Sequence, residues 1–308
     1  MTEPPVRGAQ KTPYQNLWVP LVVVPAGIVI AIVLVFALFG ALSGSERSLD
    51  ENLELVVNGG ENERDQALFA LTQQAVENQR ALDEGREPPW AMGREFLARV
   101  RAGVDELDDD DHRARLALAI LLAIHDDPRG GEMLIGALAL SPEQDPQGEI
   151  RFAALQNLAL LGDPVATEPV AALLSSDDEG LRTLAAAALG RFGGEKARER
   201  LRTALDDPSL GVRGSAALSL TKLSPPDPAA AEVLRELLDP AVYADAHAED
   251  ADKYRRADLV RDNRVRALRA LATLERAEDR PLFEELAEDP DVAVSEAAME
   301  ALRGGGGG

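Results

Sequence analysis

Beyond residue 110, apolar residues recur at helical spacing in segments of similar length and sequence. Each segment except the last has an aliphatic residue, then Arg, then Ala or Leu at intervals of three and four positions. The segments are ARLALAILLAIHDDP (114–128), IRFAALQNLALLGDP (150–164), LRTLAAAALGRFGGE (181–195), VRGSAALSLTKLSPP (212–226), VRALRALATLERAED (265–279) and VSEAAMEALRG (294–304). Apolar residues three and four positions apart share one face of an α-helix, so each segment is predicted to form an amphipathic helix.

The arginine near the start of each segment marks the period of the repeat. The marker residues are Arg115, Arg151, Arg182, Arg213 and Arg266, with Ser295 in the last segment, at intervals of 36, 31, 31, 53 and 29 residues. A period near 31 residues is typical of solenoids built from helix pairs. The sequence therefore predicts an all-α fold, an α-solenoid of antiparallel helix pairs, over residues 114–303.

Asp-Pro dipeptides punctuate the repeat. They occur at Asp127-Pro128, Asp145-Pro146, Asp163-Pro164, Asp207-Pro208, Asp227-Pro228, Asp239-Pro240 and Asp289-Pro290. Asp accepts hydrogen bonds from the free N–H groups at a helix start, and Pro in the first turn loses no helical hydrogen bond. Each dipeptide is predicted to end one helix and begin the next, as between Ile150–Leu161 and Val165–Leu174.

The pattern V/I/L-R-x-x-A-x-x-x-L, followed by a turn marked by Gly or Asp-Pro, resembles HEAT repeats. The spacing near 31 is most similar to the short HEAT-like repeats of phycobilin lyases and of many bacterial scaffold proteins. The resemblance covers residues 114–303 well and residues 64–113 poorly. It implies a right-handed superhelix that binds other proteins.

The resemblance also implies a ladder of Asp and Arg side chains between the helices. Its candidates are the five marker arginines, with Asp178, Asp207 and Asp262 opposite the last three of them. We interpret these arginines as structural, because stacked repeats must pair the polar groups between them. An arginine stripe that binds acidic ligands is the alternative, and the surrounding acidic loops oppose it.

An apolar stretch near the N-terminus predicts a membrane anchor. Residues 17–42 follow a polar tail (1–16), and no charged residue lies between Lys11 and Glu46. As a helix, this stretch would be about 39 Å long, which exceeds the ~30 Å hydrocarbon core of a bilayer. A cleaved signal peptide is the alternative, but its apolar region is shorter.

The flanking residues predict how this anchor is oriented. Arg7 and Lys11 precede it, whereas only Arg47 follows closely. Basic residues favour the cytoplasmic side, so we expect a cytoplasmic N-terminus and an extracytoplasmic repeat domain. Gly40 and Gly44 are four positions apart and would let two such helices approach closely, which makes them candidates for self-association.

The remaining segments complete the predicted organisation. Residues 43–63 are expected to form a juxtamembrane linker with a short helix at Leu49–Val57, residues 64–113 atypical capping helices, and residues 304–308 a disordered glycine tail. The 53-residue interval places an insertion near residues 239–259. Insertions in solenoids lie on one face, often the binding face.

Composition excludes several functions. Asp and Glu number 54 against 32 Lys and Arg, a net charge of −22, which opposes binding to nucleic acid. Cysteine is absent, so thiolate metal sites and cysteine nucleophiles are excluded. Aromatic residues make up only 4% of the chain, which leaves Ala, Leu and Val to form the core.

Two features of the sequence are candidates for sites of chemistry. The acidic run from Asp105 to His112 lacks the spaced ligands of a calcium loop and is interpreted as a negatively charged helix start. His112, His125 and His247 are far apart in sequence, and no catalytic cluster surrounds them. We therefore expect no metal, no cofactor and no enzymatic activity.

The insertion supplies the candidate partner-binding residues, Tyr243, His247, Tyr254, Arg255 and Arg256. Exposed aromatic and Arg side chains carry much of the binding energy at protein interfaces. The alternative is a surface insertion without function. Together these features predict a single-pass membrane-anchored scaffold for protein partners, such as an accessory subunit of a membrane complex. The other hypothesis is a lyase or isomerase acting on a bound pigment, which the scarcity of aromatic residues opposes.

Overall fold

Helices form all the regular secondary structure in the computed structural model, which describes residues 47–243 and 253–304, without the side chains of 253–256. The α-helices are α1 (Leu49–Asn58), α2 (Glu61–Asp83), α3 (Arg94–Glu106), α4 (His112–Ala123), α5 (Pro128–Ala137), α6 (Glu149–Leu161), α7 (Thr167–Ala172), α8 (Glu179–Phe192), α9 (Gly194–Ala204), α10 (Leu210–Leu220), α11 (Ala231–Glu236), α12 (Lys253–Ala272), α13 (Arg280–Leu286) and α14 (Val292–Gly304). Short 3-10 helices lie at Pro164–Ala166, Leu173–Ser175, Pro228–Ala230, Pro240–Tyr243 and Ala277–Asp279. The predicted all-α class is confirmed for these residues.

The chain divides into two units, residues 1–52 and 53–308. In the first unit the structure describes residues 47–52, where α1 begins, and α2 to α14 all belong to the second unit. Outside the described residues lie the predicted tail 1–16, the predicted transmembrane segment 17–42, Gly40 with Gly44, and the final four glycines. Within the described part of the chain, no helix combines the length and the apolar character that crossing a membrane requires.

From α4 onward the helices form a stack of pairs. Helix α4 packs against α5, α8 against α9, α10 against α11, and α13 against α14. The first helices of successive pairs also pack on one another, from α4 through α6, α8, α10 and α12 to α14. We call α2, α4, α6, α8, α10, α12 and α14 the first helices, and α3, α5, α7, α9, α11 and α13 the second helices. This repeated packing confirms the predicted helical-repeat architecture.

Three of the seven Asp-Pro dipeptides begin second helices, as predicted. In each, the Asp carboxylate accepts a hydrogen bond from the amide two residues later, and Pro begins the helix: Asp127 to Arg129 (3.2 Å), Asp163 to Val165 (2.9 Å) and Asp227 to Ala229 (3.1 Å). Asp239-Pro240 begins a 3-10 turn in the same way, and the other three dipeptides lie in loops before first helices. Such a bond satisfies an amide that has no partner inside the helix. Each cap therefore fixes the point at which a second helix begins.

Small residues let the helices approach closely. The core is mainly Ala and Leu, and Leu155, Leu189 and Leu220 are completely buried within it. A Cβ atom on Gly190 of α8 would lie 2.5 Å from the Cβ of Ser219 in α10, closer than two carbon atoms can pack. Glycine is therefore required where these two first helices cross.

Three carboxylates at the start of second helices also bind arginine from the preceding second helix. The pairs are Arg101–Asp127 (2.6 Å), Arg198–Asp227 (3.0 Å), Arg202–Asp227 (2.8 Å) and Arg235–Asp279 (2.7 Å between Nε and Oδ1). The side chain of Asp227 is 1% exposed. Asp163, which caps a 3-10 turn in the same way, is exposed. Ion pairs thus link some neighbouring second helices. The capping hydrogen bond also occurs at helix starts without such a pair, as at Asp163.

The predicted insertion includes the start of a helix. Residues 240–243 form a 3-10 turn, residues 244–252 lie outside the described part of the chain, and α12 begins at Lys253. The insertion therefore lengthens a first helix to 20 residues, whereas α8 and α10 have 14 and 11.

Asp227 and Asp163 allow a matched test of the buried pairs. Replacing Asp227 with Ala leaves Arg198 without its buried partner, so we expect the free energy of unfolding to fall by about 3–5 kcal/mol. Asp163→Ala removes only a capping bond, with an expected loss of about 1 kcal/mol. Urea unfolding followed by circular dichroism measures both. Equal losses in the two variants would contradict a contribution from the buried pairs.

Candidate partner-binding surfaces

The marker arginines form part of a ladder along the first helices. Arg182 in α8 binds the carboxylate of Asp207 with Nε at 2.9 Å and Nη2 at 3.3 Å. Arg213 in α10 binds Glu236, with Nη2 at 2.6 Å from Oε1, and donates to the backbone oxygen of Asp207 at 2.9 Å. A guanidinium group that joins one repeat to the carboxylate of the next fixes the register of the stack.

In α12 the arginine that binds the next repeat is Arg264. It lies two residues before Arg266, which the sequence pattern predicts for this role. Arg264 is 9% exposed, and Nη2 binds Asp289 at 2.5 Å while Nε donates to the backbone oxygen of Leu238 at 2.7 Å. Arg266 is exposed. The residues three, four and seven positions after Arg264 are buried, as they are after Arg182 and Arg213. The helix face that enters the core therefore selects Arg264.

The remaining ladder candidates differ in their roles. Arg151 binds Asp145 in its own loop at 3.2 Å, and both side chains are largely buried. Asp178 caps α8 by accepting from the amide of Leu181 at 3.1 Å. Asp262 is exposed and binds Arg261.

Hydrogen bonds keep the ladder carboxylates ionised. Burial alone would raise the pKa of Asp207, but the Arg182 guanidinium and the amide of Ser209 hold that pKa below its usual value. The pKa of Asp145 is lowered despite burial by the amides and guanidinium at its helix start, and that of Asp289 despite burial by Arg264. Each of these carboxylates is thus bound more favourably in its charged form.

An opening with a mainly apolar lining lies between α2 and α4. We call this feature the apolar groove; its volume is about 260 Å³. Its lining residues are Leu68, Leu71, Thr72, Ala75, Val76 and Gln79 of α2, and Ala117, Leu118, Ile120, Leu121 and Ile124 at and around α4. Val76 is 56% exposed and Ile124 50% exposed, so apolar surface at the groove meets solvent.

An ion pair joins α2 and α4 at one end of the groove. Arg64, near the start of α2, binds Asp111, which caps α4. Beyond this pair α2 and α4 contact each other over a shorter stretch than α6 and α8 do. The polar groups of the groove are already paired, since the Thr72 hydroxyl donates to the Leu68 oxygen at 2.8 Å and the Gln79 amide to Asp83 at 2.9 Å. The groove therefore suits an apolar occupant.

Tyr243, a candidate from the insertion, is turned toward the core. Its ring packs against the core, its hydroxyl donates to the backbone oxygen of Leu237 at 3.0 Å, and burial raises its pKa to about 12. The structure thus gives Tyr243 a contact that secures the start of the insertion. His247 lies outside the described residues, as do the side chains of Tyr254, Arg255 and Arg256.

Residues of the acidic run contact neighbouring helices and cap one of them. Asp105 binds Arg129 of α5, and Asp111 caps α4 while it binds Arg64. Within the residues described, no group of three or more His, Asp or Glu side chains has an arrangement that could hold a metal ion. The run therefore contributes to helix capping and to contacts between neighbouring helices.

The histidines lie apart from one another. His112 is the first residue of α4, and His125 follows the end of that helix. Partial burial lowers the pKa of His125.

Comparison with known proteins supports the repeat assignment. The family profile of HEAT repeats matches residues 167–251, which include α7 to α11. This stretch of the chain is therefore similar to HEAT repeats. No curated protein matches the sequence.

Several solved structures are similar over most of their length. Human deoxyhypusine hydroxylase in complex with glycerol is 19% identical, with 86% of this chain and 98% of that chain covered and a TM-score of 0.30. An engineered protein is 18% identical (83% and 96% covered, TM-score 0.38), and a designed armadillo repeat protein is 17% identical (83% and 99% covered, TM-score 0.36).

The lowered carboxylate pKa values predict a loss of stability in acid. A carboxylate with a folded-state pKa below its unfolded value near 3.9 stabilises the fold above that value, and this contribution disappears as the pH falls through the folded pKa. We expect the thermal midpoint to decrease from about pH 5 downward. The measurement is thermal unfolding at pH 7, 5, 4 and 3.

Asp207→Asn provides the control for this pH dependence. The variant should be less stable at pH 7, by about 2 kcal/mol, because Arg182 loses a charged hydrogen-bond partner. It should lose less stability on acidification than the unchanged protein does. The same acid slope in both proteins would rule out Asp207 as a contributor.

Proposed function

We propose that this protein is a membrane-anchored helical-repeat scaffold that binds a protein partner. HEAT repeats are commonly scaffolds for protein interaction, and residues 167–251 of this chain are similar to them. The segment 17–42 has the length and apolar character of an anchor in the sequence. In this proposal the protein acts by binding and not by catalysis, and the anchor confines its search for a partner to the membrane plane.

The apolar groove carries the proposal of a binding function. Its walls are two helices whose apolar residues recur at helical spacing, as Leu68, Leu71, Ala75 and Val76 do in α2, and of these four residues Val76 is exposed. A third helix can pack its own apolar ridge between two such helices. An apolar face that stays open to solvent on a strongly charged protein marks an interaction site. We therefore propose that the partner inserts an amphipathic helix here.

The insertion is a second candidate surface. Arg255 and Arg256 lie in the first turn of α12, in an element that interrupts the regular repeat. Insertions of this kind often contact the partner in solenoid proteins. The groove and the insertion can be tested separately, because they belong to different repeats.

A pair of valines tests the groove. Val76 lines the groove and is 56% exposed, whereas Val165 is 73% exposed and lies outside it. Val76→Asp should leave the thermal midpoint almost unchanged but reduce partner capture at least tenfold, because a charge would be buried at the interface. Val165→Asp should reduce capture less than twofold. The measurement is in-cell cross-linking of the full chain, quantified by mass spectrometry.

A photo-reactive residue makes the same test without removing contacts. Placed at position 76, it should give a partner adduct, and placed at position 165 it should give none. If both positions give the same adducts, or if Val76→Asp leaves the captured proteins unchanged, the groove is not the binding site.

The membrane anchor has its own test. Full-length protein should sediment with membranes. Alkaline carbonate should not extract it from them, and detergent should solubilise it. Replacing Ile32 and Val33 with Arg should release it, because each Arg at the centre of a transmembrane helix costs about 2.5–3.5 kcal/mol. Replacing Thr2 and Gln10 with Arg adds the same charge outside the segment and should release nothing. Wild-type protein that stays soluble without detergent would contradict the anchor.

A further inference from the structure

Arg115 does not bind a carboxylate of the following repeat, whereas three other arginines of the ladder do. Arg182, Arg213 and Arg264 bind carboxylates 25, 23 and 25 residues later in the chain. Twenty-five residues after Arg115, the position is occupied by Leu140. The equivalent loop is five residues longer here, because the interval to the next marker is 36 residues instead of 31. Asp145 lies six residues before Arg151, as Asp207 lies six residues before Arg213, so the equivalent carboxylate of this repeat comes 30 residues after Arg115.

The carboxylate of Asp145 is already bound. Asp145 accepts from the amides of Ile150 and Arg151 at 3.2 and 3.0 Å and from Nε of Arg151 at 3.2 Å. Its side chain is 4% exposed. Asp145 is therefore engaged at the start of α6 and does not pair with Arg115.

Arg115 itself makes only long contacts. Its Nη1 lies 3.4 Å from the backbone oxygen of Leu107 and 3.5 Å from Oδ1 of Asp109. Asp109 is fully exposed, so water competes with this ion pair. In the rungs that contain their carboxylate, Arg182 and Arg213 have distances of 2.9 and 2.6 Å. Arg115 is the ladder arginine whose charge is least well compensated among these three.

A pocket lies beside this arginine. Its volume is about 330 Å³, and it is enclosed by α4, α5 and the start of α6. The polar residues that line it are Asp109, His112, Arg115 and Gln144. The apolar part of the lining includes Leu116, Met133 and Leu140. The pocket therefore combines a cationic group and hydrogen-bonding groups with an apolar wall. It lies beside Arg115, which binds no carboxylate of the next repeat.

We propose that this pocket binds an aliphatic carboxylate, which completes the ladder at Arg115. The planar guanidinium matches a carboxylate with two parallel hydrogen bonds, as it does between Arg182 and Asp207. Leu140 and Met133 contact the aliphatic part of the ligand. The negative charge of Asp109 disfavours a doubly charged phosphate at the same place. This inference depends neither on the apolar groove nor on the anchor.

Two sources can supply such a carboxylate, a free short-chain acid or an acidic side chain of a partner. The probes are hexanoate and the blocked tripeptide acetyl-Leu-Glu-Leu-amide, with hexanamide, acetyl-Leu-Gln-Leu-amide and inorganic phosphate as controls. Isothermal titration of the full chain in nanodiscs, against empty nanodiscs, measures binding. Tighter binding of hexanoate identifies a free acid, and tighter binding of the Glu peptide identifies an acidic side chain. Either conclusion also requires that the matching neutral compound, hexanamide or the Gln peptide, binds at least tenfold more weakly.

Three variants assign the binding to this pocket. Arg115→Gln should weaken binding at least tenfold. Arg113→Gln removes the same charge from the same helical turn, where the side chain is 70% exposed and lies 3.9 Å from Glu149, and it should change binding less than twofold. Asp109→Asn removes the competing carboxylate and should tighten binding about threefold, as expected for one nearby solvated charge.

The proposal is overturned if the unchanged protein binds neither hexanoate nor the Glu peptide at 20 mM ligand. It is also overturned if Arg115→Gln leaves the binding intact, or if inorganic phosphate binds equally well. If Arg115→Gln fails to unfold cooperatively, Asp109→Asn decides: tighter carboxylate binding supports the pocket, and unchanged or weaker binding overturns it.

Discussion

The stack depends on the pairing of a guanidinium group with a carboxylate across the junction between repeats. Ala and Leu fill the core, but such surfaces are nearly uniform and would tolerate helices that slide past one another. A largely buried pair such as Arg182–Asp207 restricts sliding, because a shift by one turn would leave two charges without partners in a region of low water content. The arginines therefore contribute mainly to the choice of register, whereas burial of Ala and Leu contributes most of the favourable free energy.

This division explains why one short motif serves several tasks. An Asp-Pro dipeptide begins a helix, satisfies a free amide and, at Asp227, receives two arginines from the preceding second helix. Because local capping and contacts between repeats use the same carboxylate, local structure and stacking support each other. Such agreement between levels is what lets a sequence specify one arrangement of its helices.

Much of the helical architecture could be predicted from residues 114–238, where apolar period, caps and marker arginines agree. The register at α12 could not, since this helix begins inside the insertion without a recognisable cap, and both Arg264 and Arg266 stand before alternating Ala and Leu. Only the packed structure shows which arginine faces the neighbouring loop. The apolar groove was also beyond sequence reasoning, because Val76 and Ile124 look like ordinary core positions until the separation of α2 and α4 is known.

The ion pairs that join one repeat to the next through a buried carboxylate are unevenly distributed. Near the start of the described stack, Arg101 of α3 binds Asp127 before α5. The others join α8 to the loop before α10, α9 to the loop before α11, α11 to the turn before α13, and α12 to the loop before α14. Between α7 and α9 the pair is instead the exposed Arg200–Glu168. Local opening of the fold needs less free energy where such cross-links are fewer. We therefore expect local opening around α6 and α7 to need less free energy than local opening after α8.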